Sequence, residues 1–127
     1  MGLSPAARLD VGVEALRSHK GMLLVCLTRD PAHFPDCSHD PAARTATVPA
    51  GSGALSFPGL PSGDYALALV HDENGNGRLD TFAGIPREGV GFSRNPRLLF
   101  GPPRFAAARF RIDTPGRSED VRMRYFL

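Results

Sequence analysis

The chain has 127 residues, of which 42% are hydrophobic and 22% are charged, a composition typical of a globular protein and not of a disordered one. This length allows one domain with a substantial core and is too short for two, so we expect residues 1–127 to form a single domain. The 15 basic and 13 acidic residues leave a net charge of +2, which gives no electrostatic case for nucleic-acid binding.

The sequence also lacks the features of a membrane-spanning protein. No window approaches the roughly 18 consecutive apolar residues that a bilayer-spanning helix needs. The first residues, MGLSPAARLD, lack the apolar core of a secretory signal peptide. We therefore expect no membrane span, and either a cytoplasmic protein or an exported one whose leader is absent from this chain.

Two strands are predicted near the start of the chain. Residues 8–17 alternate between apolar and polar side chains, which is typical of a half-buried strand. Residues 18–21 form a predicted turn, and residues 22–27 are a continuous apolar run, as in a strand covered on both faces. We expect these two strands to pair as a hairpin.

A loop rich in Pro and Asp is predicted at residues 28–43, with Phe34 as its anchor on the core. Its histidines, His33 and His39, have no Cys or His at ligand spacing and are expected to be solvated. Cys26 and Cys37 allow two interpretations. A disulfide would stabilise the fold by about 3 kcal/mol in the chain-entropy model and would imply an oxidising compartment. The alternative is a buried thiol at Cys26 and an unrelated Cys37 on the loop.

The remaining strand predictions complete a β-sandwich. Short strands are predicted at 44–48, 54–57, 66–70, 104–112 and 121–127. Tyr65 opens the third of them as in the corner of an immunoglobulin-like or prealbumin-like sandwich, where the tyrosine hydroxyl bonds nearby backbone. About seven strands and no convincing helix predict an all-β fold with one long ordered loop. The arginines of the last two strands form a predicted basic outward stripe, which is usually a solvated sheet face and only occasionally an anion or partner site.

That loop, at about residues 71–96, has the features of a binding loop. Side chains that carry oxygen recur at every second position, and a glycine at residue 77 permits a sharp turn. The run resembles a calcium loop, but it is not an EF-hand, because residue 83 is Ala where that loop has a bidentate Glu. Glu88 is the next acidic residue available to close the site. The predicted calcium ligands are Asp72, Asn74, Asn76, the carbonyl of Arg78, Asp80 and Glu88.

A metal-free turn is the alternative for this loop, because Asx side chains also bond their own backbone and Gly accepts positive φ. The length of the segment favours an ordered binding loop, since long structureless connections are uncommon in compact domains. Its apolar residues, Phe82, Ile85, Val90 and Phe92, argue against disorder. We expect His71 to serve in packing or in a supporting hydrogen bond, because it and Asp72 point to opposite faces of a strand.

Several motifs together resemble a bacterial family known only as a domain of unknown function. They are GDY at 63–65, HDxNxNGxLD at 71–80, GxPxEGxGFS at 84–93 and GPPxF at 101–105. The resemblance implies a small exported protein of Gram-negative bacteria, with an immunoglobulin-like or prealbumin-like fold. It further implies a periplasmic or secreted location and a Cys26–Cys37 disulfide. It implies no reaction, substrate or partner.

Three functions are compatible with these features. The first is a non-enzymatic, calcium-stabilised sandwich of the cell envelope whose loop presents a surface to an envelope protein or a small ligand; no nucleophile is assembled in the sequence. The second is a metal-dependent hydrolase that uses His71, Asp72 and Glu88 on a small envelope substrate. The third is a carrier whose pocket is lined by the four apolar loop residues, for which core anchoring is the competing interpretation.

Overall fold

Alternating apolar residues build most of the strands of this protein. The computed structural model describes residues 6–76, 81–82, 85–98 and 101–127. The elements are β1 (Ala7–Glu14), β2 (Met22–Thr28), β3 (Arg44–Pro49), β4 (Ala54–Leu60), β5 (Gly63–Asp72), β6 (Thr81–Phe82), β7 (Ile85–Pro86), β8 (Gly89–Phe92), α1 (Phe105–Ala108), β9 (Phe110–Ile112) and β10 (Gly116–Arg122).

Among the described residues, eight strands form the two sheets of a sandwich, and β6 and β7 pair separately as a two-stranded sheet. One sheet has the order β10-β1-β4, in which β1 runs parallel to β10 and antiparallel to β4. The other has the order β3-β2-β5-β8, all antiparallel, and β9 pairs with the beginning of β5. The prediction of an all-β sandwich is confirmed, with eight strands in the two sheets.

The predicted hairpin between the first two strands is wrong. β1 lies in the three-stranded sheet, whereas β2 lies in the other sheet between β3 and β5. Alternation indicates which face of a strand is buried and does not identify its neighbour. The connection between β1 and β2 therefore crosses from one sheet to the other, and this crossing brings Arg17 and Gly21 to the end of β5.

The main core lies between the two sheets. In β2 and β5 every second side chain enters it, and these residues are almost fully buried. The other face of β2 is less covered, because Met22, Leu24 and Cys26 on that face are only half-buried. The inward residues of these two strands are Leu23, Val25, Leu27, Tyr65, Leu67 and Leu69. The Tyr65 hydroxyl donates to the Pro61 carbonyl at 2.7 Å, as the corner motif predicts.

A second apolar cluster covers the outer face of the larger sheet. It combines outward residues of β5 and β8 with α1, and half-buried Phe34 packs against it. The Phe34 ring meets the rings of Phe92 and Phe105 edge to face, with centroids 6.0 and 6.1 Å apart. Cys26 and Cys37 form a disulfide with their Cα atoms 5.8 Å apart. The predicted bridge and the predicted Phe34 anchor therefore hold the 28–43 loop over this face.

Three predictions after residue 88 are wrong. The strand predicted at 121–127 is instead β10 at Gly116–Arg122, followed only by an isolated bridge at Arg124. Residues 104–112 do not form one strand, because 105–108 form the short helix α1 and only 110–112 pair with β5. Ala-rich FAAA has a high helical propensity, and the turn buries Phe105 and Ala108 in the second cluster. The 71–96 loop is also interrupted by β8, whose four residues pair with β5. GVGF has too few side chains to show an alternating pattern.

The segment after β10 connects the two sheets. The backbones of Val90 and Arg124 exchange two hydrogen bonds, at 3.0 and 2.8 Å. This close approach requires glycine on the inner side of β8: a Cβ at Gly89 would lie 2.3 Å from the Tyr125 ring. Within the described residues, no helix is long and apolar enough to cross a membrane.

Candidate functional site

Two buried carboxylates lie at one end of the larger sheet. β5 ends at Asp72, and Glu88 directly precedes β8. The last residue pair between these strands is His71 with Gly89, and continuing that register by one residue sets Asp72 opposite Glu88. Side chains opposite each other in an antiparallel pair have Cβ atoms about 4.5–5.5 Å apart. Only 1% of Asp72 and 5% of Glu88 is exposed, so both carboxylates are removed from bulk water.

The turn after β5 gathers further oxygen atoms beside Asp72. The backbone N–H of Asn76 donates to Asp72 Oδ1 and to Asn74 Oδ1, both at 3.2 Å. The N–H of Gly75 donates to the Asp72 carbonyl at 3.3 Å, and Gly75 has a left-handed φ of 70°. Oxygens of Asp72 and Asn74 therefore converge on one backbone amide, while the side chains of residues 74 and 76 remain exposed.

The other two predicted ligands, Arg78 and Asp80, lie outside the described residues. Among the residues that are described, no group of three or more His, Cys, Asp or Glu side chains is arranged to hold a metal. Four of the six predicted ligands are thus located: Asp72 and Glu88 at the end of the sheet, and Asn74 and Asn76 in the turn. All four offer oxygen atoms, which suit a hard cation such as calcium.

His71 is held from both sides beneath this turn. It is fully buried, its Nε2 lies 2.8 Å from the Lys20 carbonyl, and its Nδ1 lies 2.7 Å from the Tyr125 hydroxyl. A carbonyl only accepts, so Nε2 donates to it and, in the neutral imidazole, Nδ1 accepts from the tyrosine. Both ring nitrogens are occupied, so His71 supports the strand end as expected and offers no ring nitrogen to a substrate.

Arg17 connects Glu73, the first residue after β5, to Tyr125 in the segment after β10. Its guanidinium donates to Glu73 Oε1 at 2.6 and 2.9 Å and lies 4.5 Å from the centroid of the Tyr125 ring. The Ser18 hydroxyl donates to Glu73 Oε2 at 2.8 Å. Hydrogen bonds from Arg17 and Ser18 hold the pKa of Glu73 below its usual value. We call Arg17, Ser18, His71, Glu73 and Tyr125 the loop-base network.

Replacing Tyr125 with Phe tests this network. The change removes the hydroxyl that His71 Nδ1 and the Arg17 N–H both contact, the latter at 3.2 Å. We expect the free energy of unfolding to fall by about 1–2 kcal/mol, because a buried ring nitrogen loses its partner. Chemical denaturation measures this, with Tyr65→Phe, which removes one hydrogen bond to a carbonyl, as a control with a smaller loss. Equal stability of Tyr125→Phe and the native protein would contradict a stabilising hydrogen bond between the Tyr125 hydroxyl and His71.

A family comparison matches most of the chain. The model of the family described as "Uncharacterized protein conserved in bacteria (DUF2141)" covers residues 11–119. The chain belongs to this family. No curated protein and no solved structure matches it. The resemblance that the loop motifs predict is therefore confirmed at the level of an uncharacterized bacterial family, and the DUF2141 assignment adds no reaction.

Two of the four apolar residues proposed to line a carrier pocket pack in the core instead. Val90 and Phe92 are buried in the second cluster, with 6% and 7% exposed. The side chains of Phe82 and Ile85 lie outside the described part of this DUF2141 member. A separate open cleft of about 470 Å³ lies between residues 31–35 and 102–106. Val90 and Phe92 do not line it.

Three residues that were not predicted as site residues, Ser93, Arg17 and Tyr125, connect the elements around the site by hydrogen bonds. Ser93 is fully buried, accepts a hydrogen bond from the Leu67 N–H at 2.9 Å and donates to the Ala108 carbonyl. It therefore connects β8, β5 and the end of α1. Its position in the GxPxEGxGFS motif was the available signal. No local pattern marks Arg17 or Tyr125, because their hydrogen bonds join residues about 54 or more positions apart in the sequence.

Proposed function

We propose that this DUF2141 member is a non-enzymatic calcium-binding β-sandwich domain of the bacterial cell envelope. The ion orders the 71–96 loop, which presents a surface to an envelope protein or a small ligand. The carboxylates of Asp72 and Glu88 are the central ligands. The other proposed ligands are the amide oxygens of Asn74 and Asn76, the carbonyl of Arg78 and the carboxylate of Asp80.

One observation carries this proposal: Asp72 at the end of β5 and Glu88 directly before β8 are both buried, and the β5–β8 register, continued by one residue, sets them opposite each other beside a turn rich in oxygen atoms. Like charges in directly opposite positions repel, and burial strengthens the repulsion. A divalent cation between them converts this repulsion into attraction. The donors are all oxygens, and both cysteines are used in the disulfide, which favours calcium over zinc.

The disulfide supports a location outside the cytoplasm. Disulfides persist in oxidising compartments, such as the bacterial periplasm and the extracellular space, and are rare in cytosolic proteins. The Cys26–Cys37 bridge and the bacterial family together support a periplasmic or secreted protein. Fractionation of a bacterial host that expresses the native gene checks this proposal.

Thermal unfolding with calcium and with a chelator tests the calcium site. A ligand that binds only the native state stabilises it by about 2.7 kcal/mol at a hundred times its dissociation constant. We expect the midpoint of the native protein to rise with calcium, to fall back with EGTA, and to respond less to magnesium, which dehydrates reluctantly. Equal midpoints in calcium and in EGTA, across millimolar concentrations, would overturn the proposal.

Glu73 provides a sharp control within the same turn. It lies out of phase with the predicted ligands, and its carboxylate is bound by Arg17 and Ser18. We expect Glu73→Ala to lower the free energy of unfolding by about 1 kcal/mol, because a half-exposed ion pair is lost. The calcium-induced shift in midpoint should persist. Loss of that shift would mean that Glu73, and not the alternating oxygens, binds the ion.

A further inference from the structure

The charges of this protein are unevenly distributed along the chain. Residues 87–127 contain nine arginines and four acidic residues, whereas residues 1–86 contain six basic and nine acidic residues. The small overall charge conceals this difference. The basic part of the sequence includes β8 and β9, which pair with β5, and β10, which is the edge strand of the other sheet.

Four of these arginines lie near one another beside β10, through contacts that the main chain shares. The Arg94 guanidinium donates to the Arg109 carbonyl at 3.4 Å, and the Arg124 guanidinium donates to the Asn95 carbonyl at 3.3 Å. The backbone N–H of Arg122 donates to Asn95 Oδ1 at 2.7 Å. Arg124 is half-buried and the other three are exposed. We call Arg94, Arg109, Arg122 and Arg124 the arginine stripe.

The backbone at the centre of this stripe is held in an uncommon conformation. Arg94 and Asn95 both have positive φ angles, 65° and 47°, in succession. The Arg94 N–H donates to Glu119 at 2.9 Å, and Asn95 Nδ2 donates to the Asp120 carbonyl at 3.1 Å, so the turn is tied to β10. Left-handed residues other than glycine carry strain and cluster at ligand clamps, where the surrounding structure sustains them.

The stripe directs its charge toward solvent. Arg111 and Arg117, which lie beside it, are paired with Asp113 and Glu119 at 3.1 Å. Within the described part of the chain, the side chains of Arg109 and Arg122 make no hydrogen bond or ion pair. Asp120, also exposed on β10, is the acidic residue interspersed among the four arginines. The stripe therefore keeps a clear positive excess.

An exposed aromatic residue, Phe126, continues the stripe. Phe126 and Leu127 are 46% and 53% exposed, and they are the two large hydrophobic side chains exposed in the described residues. Met123 and Tyr125 point inward, toward the core and His71. The alternation of an extended chain then sets Phe126 on the same side as Arg124. Basic residues beside exposed apolar side chains also occur in segments that lie in a membrane interface, where electrostatic attraction and apolar burial both contribute to binding.

We propose that the arginine stripe and Phe126 bind the protein peripherally to an anionic phospholipid surface. The guanidinium groups contact lipid phosphates, which match their bidentate geometry, and Phe126 enters the region between headgroups and acyl chains. Charge complementarity selects this occupant, because the positive excess is extended along an edge and adjoins exposed apolar surface. The inference goes beyond the calcium proposal and does not depend on it.

Sedimentation with lipid vesicles tests this inference. The native protein, in EGTA, is mixed with vesicles of equal parts phosphatidylglycerol and phosphatidylcholine, or of phosphatidylcholine alone. We expect binding to the anionic vesicles, weakened by salt, and about a fivefold loss of affinity for each arginine neutralised near the surface. Arg109→Gln with Arg122→Gln should therefore reduce affinity about 25-fold, and Phe126→Ser should reduce it further.

Arg44→Gln is the matched control, because Arg44 is an exposed arginine on β3, at the sheet edge opposite β8. It should bind as the native protein does. Absence of binding to anionic vesicles, an equal loss in the control, or binding only when calcium is present would each overturn the inference. Binding to soluble polyphosphate but not to vesicles would also overturn it, in favour of a dissolved polyanion.

Discussion

Replacing Cys26 and Cys37 together with serine is expected to lower the free energy of unfolding by about 3 kcal/mol. The bridge closes a loop over a sequence separation of 11 residues, which gives this value in the chain-entropy model. For a chain of this size the thermal midpoint should fall by roughly 10–15 °C. Part of this loss comes from packing, because the loop that the disulfide holds places Phe34 against the second cluster.

A reducing agent supplies the matching control for this variant. Reduction should destabilise the native protein by a similar amount and leave the double-serine variant unaffected. Differential scanning calorimetry measures both. If reduction frees two thiols and the native midpoint does not move, the bridge does not stabilise the loop that covers the outer face.

Asp72→Asn is expected to abolish the calcium-induced stabilisation. The substitution preserves the size of the side chain and keeps an oxygen for the Asn76 N–H, which donates to Asp72 Oδ1 in the native turn. It removes one of the two buried negative charges that the ion requires. A shift of about 2.7 kcal/mol at a hundred times the native dissociation constant should therefore fall to almost nothing.

The control for this variant is Glu14→Gln, which removes one negative charge from an exposed position on β1. It should retain the native response, so that loss of overall charge is separated from loss of a ligand. Thermal melts in calcium and in EGTA compare the three proteins. An Asp72→Asn protein that responds to calcium as the native protein does would exclude Asp72 as a ligand.

Much of the fold could be predicted from local patterns. Alternation identifies the buried faces of β1 and the end of β10, and Tyr65 forms the corner bond that its position predicts. Strand partners could not be predicted, because the sheet register depends on contacts between distant residues. The second cluster was missed for the same reason: it forms only when α1 and the disulfide loop cover β5.

The residue types of the candidate site could be predicted from the sequence, but the strand pairing that brings them together could not. The alternating oxygens singled out Asp72, and the scarcity of later carboxylates singled out Glu88. Their juxtaposition depends on the β5–β8 register, which no local pattern shows. The outward arginines of the last strands could be predicted from the sequence, but alternation alone does not distinguish a binding surface from an ordinary solvated face.

The position of a bound ion tests the central claim most directly. Crystals grown with calcium, examined by anomalous diffraction, should show a cation with oxygens of Asp72 and Glu88 about 2.3–2.6 Å away. Asn74 and Asn76 should supply neutral oxygens to the same ion. A high-resolution structure in saturating calcium in which the Asp72 carboxylate binds only water or main-chain amides would contradict the account.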